Sequence, residues 1–362
     1  MSPSSPSRSG ARGPSPLDDL AEAVGGTPLV RLRRLFPDLD GDSPRLELYA
    51  KLEQLNPGGS TKDRPALAML EDALASGRLA PGGTVVESSS GNLGMALARA
   101  CAAHGVRFLC VVDSRINAPT AATIRALGGE LEQVTQPDPE TGDLLTARVK
   151  RVQQLLEEIP GAVNLHQYGN PANPAAHRDG TMREIAEALD HRVDALYAAV
   201  STTGTIGGCA AYVRDHDMTT RLVAVDAEGS VLFGGTAGTR RLPGMGAGFV
   251  TDLSRQVQPD EVVRVDELAC TAGARLLARR EGILAGASTG GIVAALARTL
   301  PSLPDGSRVA MIVHDGGSPY LSTVYDDEWV GQQLGADADA LDRARQDLLA
   351  ASRGAEAPGG AA

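Results

Sequence analysis

The chain has 362 residues, 42% of them hydrophobic, which is enough apolar material for one large or two medium domains with real cores. A formal net charge of −11 argues against a nucleic-acid partner, because a phosphate backbone demands clustered Lys and Arg. No run reaches the roughly 18 consecutive apolar residues of a membrane span, and the opening MSPSSPSRSGARGPSP carries no apolar signal segment. The expectation is a cytoplasmic protein with no membrane partner. Cys101, Cys110, Cys209 and Cys270 form no CxxC pair or other metal-ligand spacing. They read as small buried hydrophobes in a reducing compartment, and no metal is expected.

Residues 1–16 are almost wholly Ser, Pro, Gly, Arg and Ala, and the stretch from Ala351 onward is similarly poor, so both ends are expected to be disordered tails. Between them, β-rich runs alternate with segments of helical period. In chain order the expected elements are helix Arg64–Ala75, strand Thr84–Glu87, helix Leu93–Ala103, strand Val106–Asp113, helix Ala121–Leu127, strand Leu131–Val134 and helix Leu144–Glu158. Helix Pro174–Leu189, strand Ala195–Val200, helix Ile206–Asp215, strand Leu222–Asp226, strand Val262–Val265, helices Glu267–Arg279 and Gly291–Thr299, and strand Val309–Val313 follow. Repeated β-α-β order predicts an α/β fold of two domains, each with a mainly parallel sheet flanked by helices. A Pro/Asp/Thr/Gly run at Pro137–Gly142 and Pro160 are the candidate boundaries.

Four loops attract attention. In Asn56-Pro-Gly-Gly-Ser-Thr-Lys-Asp-Arg-Pro65, Ser60 and Asp63 suggest a capping box, which places Lys62 in the first turn of a helix. A cation is disfavoured there by the helix dipole, and that field together with Arg64 should enlarge the neutral fraction of the lysine that can attack an aldehyde. A Walker A loop fails on both flanks of the lysine, where Thr61 and Asp63 stand. Glu87-Ser-Ser-Ser-Gly-Asn-Leu-Gly94 follows a strand and opens a helix, an arrangement suited to a carboxylate. Ser201-Thr-Thr-Gly-Thr-Ile-Gly-Gly208 repeats it with residues suited to a phosphate, and is not the dinucleotide GxGxxG. Gly286-Ala-Ser-Thr-Gly290 fits the GxSxG nucleophile elbow, with Asp305 and His314 in hydrolase order downstream, but no HGGG-type oxyanion segment precedes it.

Taken together and in order, NPGGSTKDR, SSSGNLG, STTGTIGG and GASTG resemble the fold-type II pyridoxal-phosphate enzymes, the cysteine synthase and cystathionine β-synthase family. The likeness runs from about Gly25 to about Trp329. Through NPGGSxKDRPA, SGNLG, CVVD, STTG, VDAxGSVxFG, LPGMGA and YLSTVYDDEW it is most similar to the N-(2-amino-2-carboxyethyl)-L-glutamate synthases of 2,3-diaminopropionate biosynthesis, a route to siderophores or peptide antibiotics. The resemblance implies pyridoxal 5′-phosphate as cofactor in an interdomain cleft, a homodimer, and small amino-acid substrates. Lys62 would carry the cofactor as a Schiff base, and Asn92 would meet its phenolic oxygen. Ser201, Thr202, Thr203, Gly204 and Thr205 would cradle its phosphate, and Ser288 would face its ring nitrogen. Ser89, Ser90, Gly91 and Gln167 match the positions that hold the substrate α-carboxylate.

The implied reaction is β-replacement, with Lys62 as base for the Cα proton, O-phospho-L-serine as first substrate and the amino group of L-glutamate as nucleophile. Arg148, Tyr168 and Ser201 are the expected phosphate contacts. Their plainer roles are a solvated helix arginine and a core-edge tyrosine. Leu93 stands where the wider family has a polar residue, and His314-Asp-Gly-Gly-Ser-Pro-Tyr320 lacks the arginine usual in the subfamily, which leaves a sulfur nucleophile, as in cysteine or cystathionine synthases, as the alternative. His314 reads as a loop histidine, since Lys62 already supplies a base. A non-catalytic metabolite-binding homologue is the alternative of another class, opposed by the intact Lys62, Asn92 and Ser288. The expected division is a larger part, 17–54 plus 161–335, that binds the cofactor, a smaller mobile part, 55–160, and a C-terminal helix or tail, 336–362.

Overall fold

The computed structural model describes residues 16–39, 45–140, 142 and 144–354; all of the expected N-terminal tail but Pro16, and the last residues of the C-terminal one, lie outside that range. Nine strands are present among the described residues: β1 Leu29–Leu32, β2 Glu47–Leu52, β3 Thr84–Ser88, β4 Arg107–Asp113, β5 Glu130–Val134, β6 Ala195–Ala199, β7 Arg221–Ala227, β8 Glu261–Val265 and β9 Arg308–Val313. They form a six-stranded sheet in the order β1-β2-β9-β6-β7-β8 and a three-stranded sheet in the order β3-β4-β5. Every pairing is parallel except β1 with β2.

The helices α1 Asp63–Ala75, α2 Asn92–Ala103, α3 Ala118–Ala126 and α4 Leu144–Glu158 belong to the small sheet's stretch of chain. Those of the large sheet are α5 Ala172–Ala176, α6 Arg183–Ala188, α7 Gly204–Asp215, α8 Glu267–Glu281 and α9 Ala287–Thr299, followed by α10 Asp327–Leu334 and α11 Ala338–Ala351. The single helix expected over Pro174–Leu189 is instead α5 and α6 joined by a π-helical stretch, His177–Met182. No described helix is long and apolar enough to cross a membrane. All four cysteines are free and buried, and burial raises their thiol pKa values, so they serve as packing.

Strands β1 and β2 escape the sequence pattern because β2, ELYAKL, carries charges that an apolar strand would not. Those charges are paired rather than solvated. Lys51 on β2 is 1% exposed and donates to Thr27 O and to Glu184 Oε2 of α6, the latter at 2.5 Å. Glu53, just past β2, is 0% exposed and accepts Arg64 Nε at 2.6 Å and Nη2 at 2.8 Å. Arg64, in the first turn of α1, also reaches both oxygens of Glu184 at 2.8 Å. Gly180 leaves room for it, since a Cβ there would come within 2.5 Å of Arg64 Nη1. The cluster ties the start of α1 to the large sheet.

Burial alone would raise the Glu184 carboxyl, but hydrogen bonds from Arg64 and Lys51 outweigh it and hold the pKa down at about 2, against 4.5 for an ordinary glutamate. The stabilisation it brings is therefore complete above the ordinary value and lost as pH falls toward about 2. Glu184→Gln is expected to flatten that acid limb of the stability profile. Glu53→Gln leaves a buried guanidinium half-paired and is expected to lower unfolding stability in urea by about 3–5 kcal/mol.

Candidate active site

Lys62 immediately precedes α1, but the capping box does not form. Ser60 Oγ accepts the Lys62 N–H at 3.3 Å, and Asp63 turns back to the N–H of Gly58 and toward Arg99, 3.6 Å away. A flanking loop makes up the rest of the anchorage: Thr61 N–H donates to His314 O at 2.7 Å, and Gly316 N–H to Gly59 O at 3.0 Å. The Lys62 amine has its pKa lowered to about 8, chiefly by burial, while Asp315 opposes the shift. Arg64, invoked from the sequence as a cause, is turned away into its glutamates. The expected direction therefore holds, but desolvation is its main source.

Lys62 faces a cavity of about 620 Å³ between the two sheets, within the size range of small-ligand sites. Its walls include Ser89, Ser90, Gly91 and Asn92 from the start of α2, Ser201, Thr202, Thr203 and Thr205 from the start of α7, and Ser288 at the start of α9. Arg148 of α4, Gln167 and Tyr168 also line it. Gly204 alone among the expected site residues is not part of the lining. It lies beneath it, where a Cβ would come within 2.0 Å of Asn173 Oδ1. Asn173 also donates through Nδ2 to Gln167 O at 2.8 Å, so one amide touches both the α7 loop and the Gln167 loop.

Three helix N-termini thus converge on one space, each with unpaired backbone N–H groups and a positive dipole end. At α7 the backbone turns through Thr203 at φ 67, and Gly204 N–H donates to Thr202 Oγ1 at 3.2 Å. Below it, the buried His177 lies 3.3 Å from Thr205 Oγ1 and 3.0 Å from Thr181 Oγ1. At α2, Ser89 Oγ accepts the N–H of Gly94 at 3.0 Å.

Arg148 does not face solvent. It is 9% exposed, its Nε is 3.4 Å from Asp113 Oδ2, and that nitrogen has no hydrogen bond. The Tyr168 ring packs edge-on against Phe249 with centroids 5.0 Å apart. The hydrolase arrangement does not form, since Asp305 is 81% exposed and pairs with Arg45, while His314 Nε2 accepts the Ala199 N–H at 3.0 Å.

Asp315, Tyr320 and Glu87 also line the cavity and were not singled out from the sequence. Asp315 Oδ2 accepts from Asn92 Nδ2 at 2.8 Å and from the Tyr320 hydroxyl at 2.6 Å, fixing which way the Asn92 amide points. An acid leaving an apolar strand is the signal that could have marked Asp315. Glu87 sits at a strand end, where a glutamate ordinarily reads as solvated.

Residues 20–315 match the family described as pyridoxal-phosphate dependent enzymes. The chain belongs to that family. It is 46% identical over 313 residues to an N-(2-amino-2-carboxyethyl)-L-glutamate synthase of Ralstonia nicotianae, covering 86% of this chain and 91% of the relative. A protein of the same name from Cupriavidus metallidurans is 43% identical over 318 residues, covering 87% and 92%. Among solved structures, O-ureido-L-serine synthase superposes with a TM-score of 0.78 at 33% identity, over 90% of this chain and 99% of that one. An O-acetylserine dependent cystathionine β-synthase from Helicobacter pylori gives 0.77 at 30% identity, over 85% and 98%. The fold is that of the fold-type II enzymes, and pyridoxal 5′-phosphate is the cofactor.

The donors present suit that cofactor: an amine of lowered pKa on the cavity wall, the buried Thr61 Oγ1 with no hydrogen-bond partner, and a helix N-terminus lined with hydroxyls for a phosphate. Because Asp315 raises the Lys62 pKa, Asp315→Asn is expected to move the amine's titration below about 8. Amine-selective labelling of the cofactor-free protein across a pH series, read at Lys62 by mass spectrometry, checks it. An unmoved midpoint contradicts the assignment.

Proposed function

We propose that the protein joins the β-carbon of O-phospho-L-serine to the amino group of L-glutamate, forming N-(2-amino-2-carboxyethyl)-L-glutamate and releasing phosphate for 2,3-diaminopropionate biosynthesis. The observation that carries this reading is a partly unsatisfied, buried arginine, Arg148, in the same cavity as the lysine and three helix N-termini. The names of the relatives at 46% and 43% identity support it.

In this proposal Lys62 Nζ holds the cofactor, Asn92 meets its phenolic oxygen, Ser201 to Thr205 take its phosphate and Ser288 faces the ring nitrogen. Bound pyridoxal phosphate supplies an electron sink at the substrate Cα. Ser89, Ser90, Gly91 and Gln167 bind the α-carboxylate at the positive end of α2. Lys62 Nζ, of pKa about 8, removes the Cα proton near neutrality. Arg148, Tyr168 and Ser201 stabilise the departing phosphate by charge and hydrogen bonding. The neutral hydroxyl of Ser288 does not hold the ring nitrogen protonated as a carboxylate would, which favours loss of a β substituent over transamination. The small sheet and its helices, within 55–160, would close over the substrate. The family resemblance supports a homodimer in the cytoplasm, which sedimentation and fractionation test.

The purified holoenzyme is expected to release phosphate from O-phospho-L-serine and to yield the glutamate adduct by mass. Products with sulfide or homocysteine but none with glutamate would replace this reading by a sulfur-transfer one. Lys62→Ala is expected to lose cofactor fixation by borohydride. Arg148→Ala is expected to cost about 1.5–3 kcal/mol in kcat/KM for O-phospho-L-serine, the value of hydrogen bonds to charged groups, and much less for O-acetyl-L-serine.

A further inference from the structure

The proposed reaction needs a second proton transfer that the Cα base does not supply. The amino group of an amino acid is an ammonium ion near neutrality and bonds to carbon only after losing a proton. Hydrosulfide carries its own negative charge and needs no such help.

Glu87 stands where that transfer is required. It lies at the C-terminal end of β3, the end of a parallel sheet where ligands gather, paired in register with Cys110 of β4. Its side chain lines the cavity that holds Lys62 and Gln167, yet the residue is only 5% exposed. Oε1 accepts the Ser88 N–H at 3.0 Å, while Oε2 is buried with no hydrogen bond of good geometry, although the Asn164 amide and the N–H groups of His166 and Gln167 lie near the carboxylate. The other acids and the buried histidine of the cavity are committed. Asp315 takes Asn92 and Tyr320, Asp252 pairs with Arg255 at 2.8 Å, and His314 Nε2 takes the Ala199 N–H.

We propose that Glu87 is the catalytic base that deprotonates the incoming amino group, an assignment that rests on the amine-nucleophile reading above. Oε2 takes one proton from the ammonium, leaving a neutral carboxyl and a free amine; the amine lone pair forms the bond to the β-carbon as the Cα–Cβ π bond left by phosphate departure breaks, its electron pair passing to Cα, which regains from Lys62 the proton taken earlier. The remaining excess proton on that nitrogen passes to water after bond formation, Glu87 returns its own proton to water as product leaves, and no oxidant or reductant is needed. Burial raises the Glu87 carboxyl to about 7, against the pull of Asn164 and the N–H groups of Ser88, His166 and Gln167 that face it, so both protonation states are populated near neutrality.

The test uses the holoenzyme with O-phospho-L-serine, comparing native protein, Glu87→Gln and His166→Gln, the last because His166 also lines the cavity. Glu87→Gln is expected to keep phosphate release and coupling to hydrosulfide near native rates while coupling to glutamate falls by about 10²- to 10⁴-fold. His166→Gln is expected to keep both. Undiminished glutamate coupling in Glu87→Gln overturns the proposal, and so does an equal loss with both nucleophiles, which would make Glu87 a support for the 164–167 loop. Selective loss in His166→Gln instead transfers the role. If Glu87→Gln does not fold, Glu87→Asp carries the same comparison, with amine coupling reduced far more than hydrosulfide coupling in support and equal reduction against. A native protein that couples hydrosulfide but no glutamate defeats the substrate reading and this proposal together; defeat of Glu87 alone requires native glutamate coupling that the variant retains.

Discussion

The placement of Lys62 depends on a group of buried charges, none of which lines the cavity. Lys51, Glu53, Arg64 and Glu184 bring the end of an edge-side strand, the first turn of α1 and the helix α6 into one electrostatic knot. Taking such groups out of water costs several kcal/mol each, and the cost is offset only when every donor finds an acceptor in good geometry. The forked guanidinium of Arg64, bonded to both oxygens of two carboxylates, meets that demand in a way a lysine could not. The backbone two residues earlier is thereby fixed, with the Lys62 amine held in a desolvated position. The lowered pKa of the amine and the rigidity of its support have a common origin in burial.

The cavity follows a different rule. Parallel strands end together, so the helices α2 and α7 that follow β3 and β6 present their N-termini to one space, and α9, which follows α8, adds a third. Short hydroxyl and glycine segments at those starts keep side chains small and backbone donors free. Chemical variety then comes from the few larger groups that intrude: Lys62, Arg148, Tyr168, Asp315 and Glu87.

Much of this is legible in the linear chain. The alternation of apolar runs and helical period gives every strand from β3 onward to within one or two residues, because parallel strands buried on both faces read as short apolar blocks. Strands β1 and β2 do not announce themselves. One is four residues long, and the other carries a lysine whose partners lie far away in sequence. The loops bearing Lys62, Asn92, Thr203 and Ser288 are readable because glycine, serine and threonine cluster at helix starts for local reasons. Asp315 offers only the hint of an acid leaving an apolar strand and Tyr320 none, since what marks them is a chain of hydrogen bonds from Tyr320 through Asp315 to Asn92, 223 positions from Asp315. The capping box fails for a related reason: Asp63 is drawn to Gly58 and Arg99, tertiary partners that outweigh a local pattern.

The single amide of Asn173, wedged between Gly204 and the carbonyl of Gln167, joins the two loops to which the proposed function assigns the cofactor phosphate and the substrate carboxylate. Binding free energies linked through a shared element are reciprocal: with the loops filled as proposed, whatever order one gains on binding is returned to the other, and the reverse.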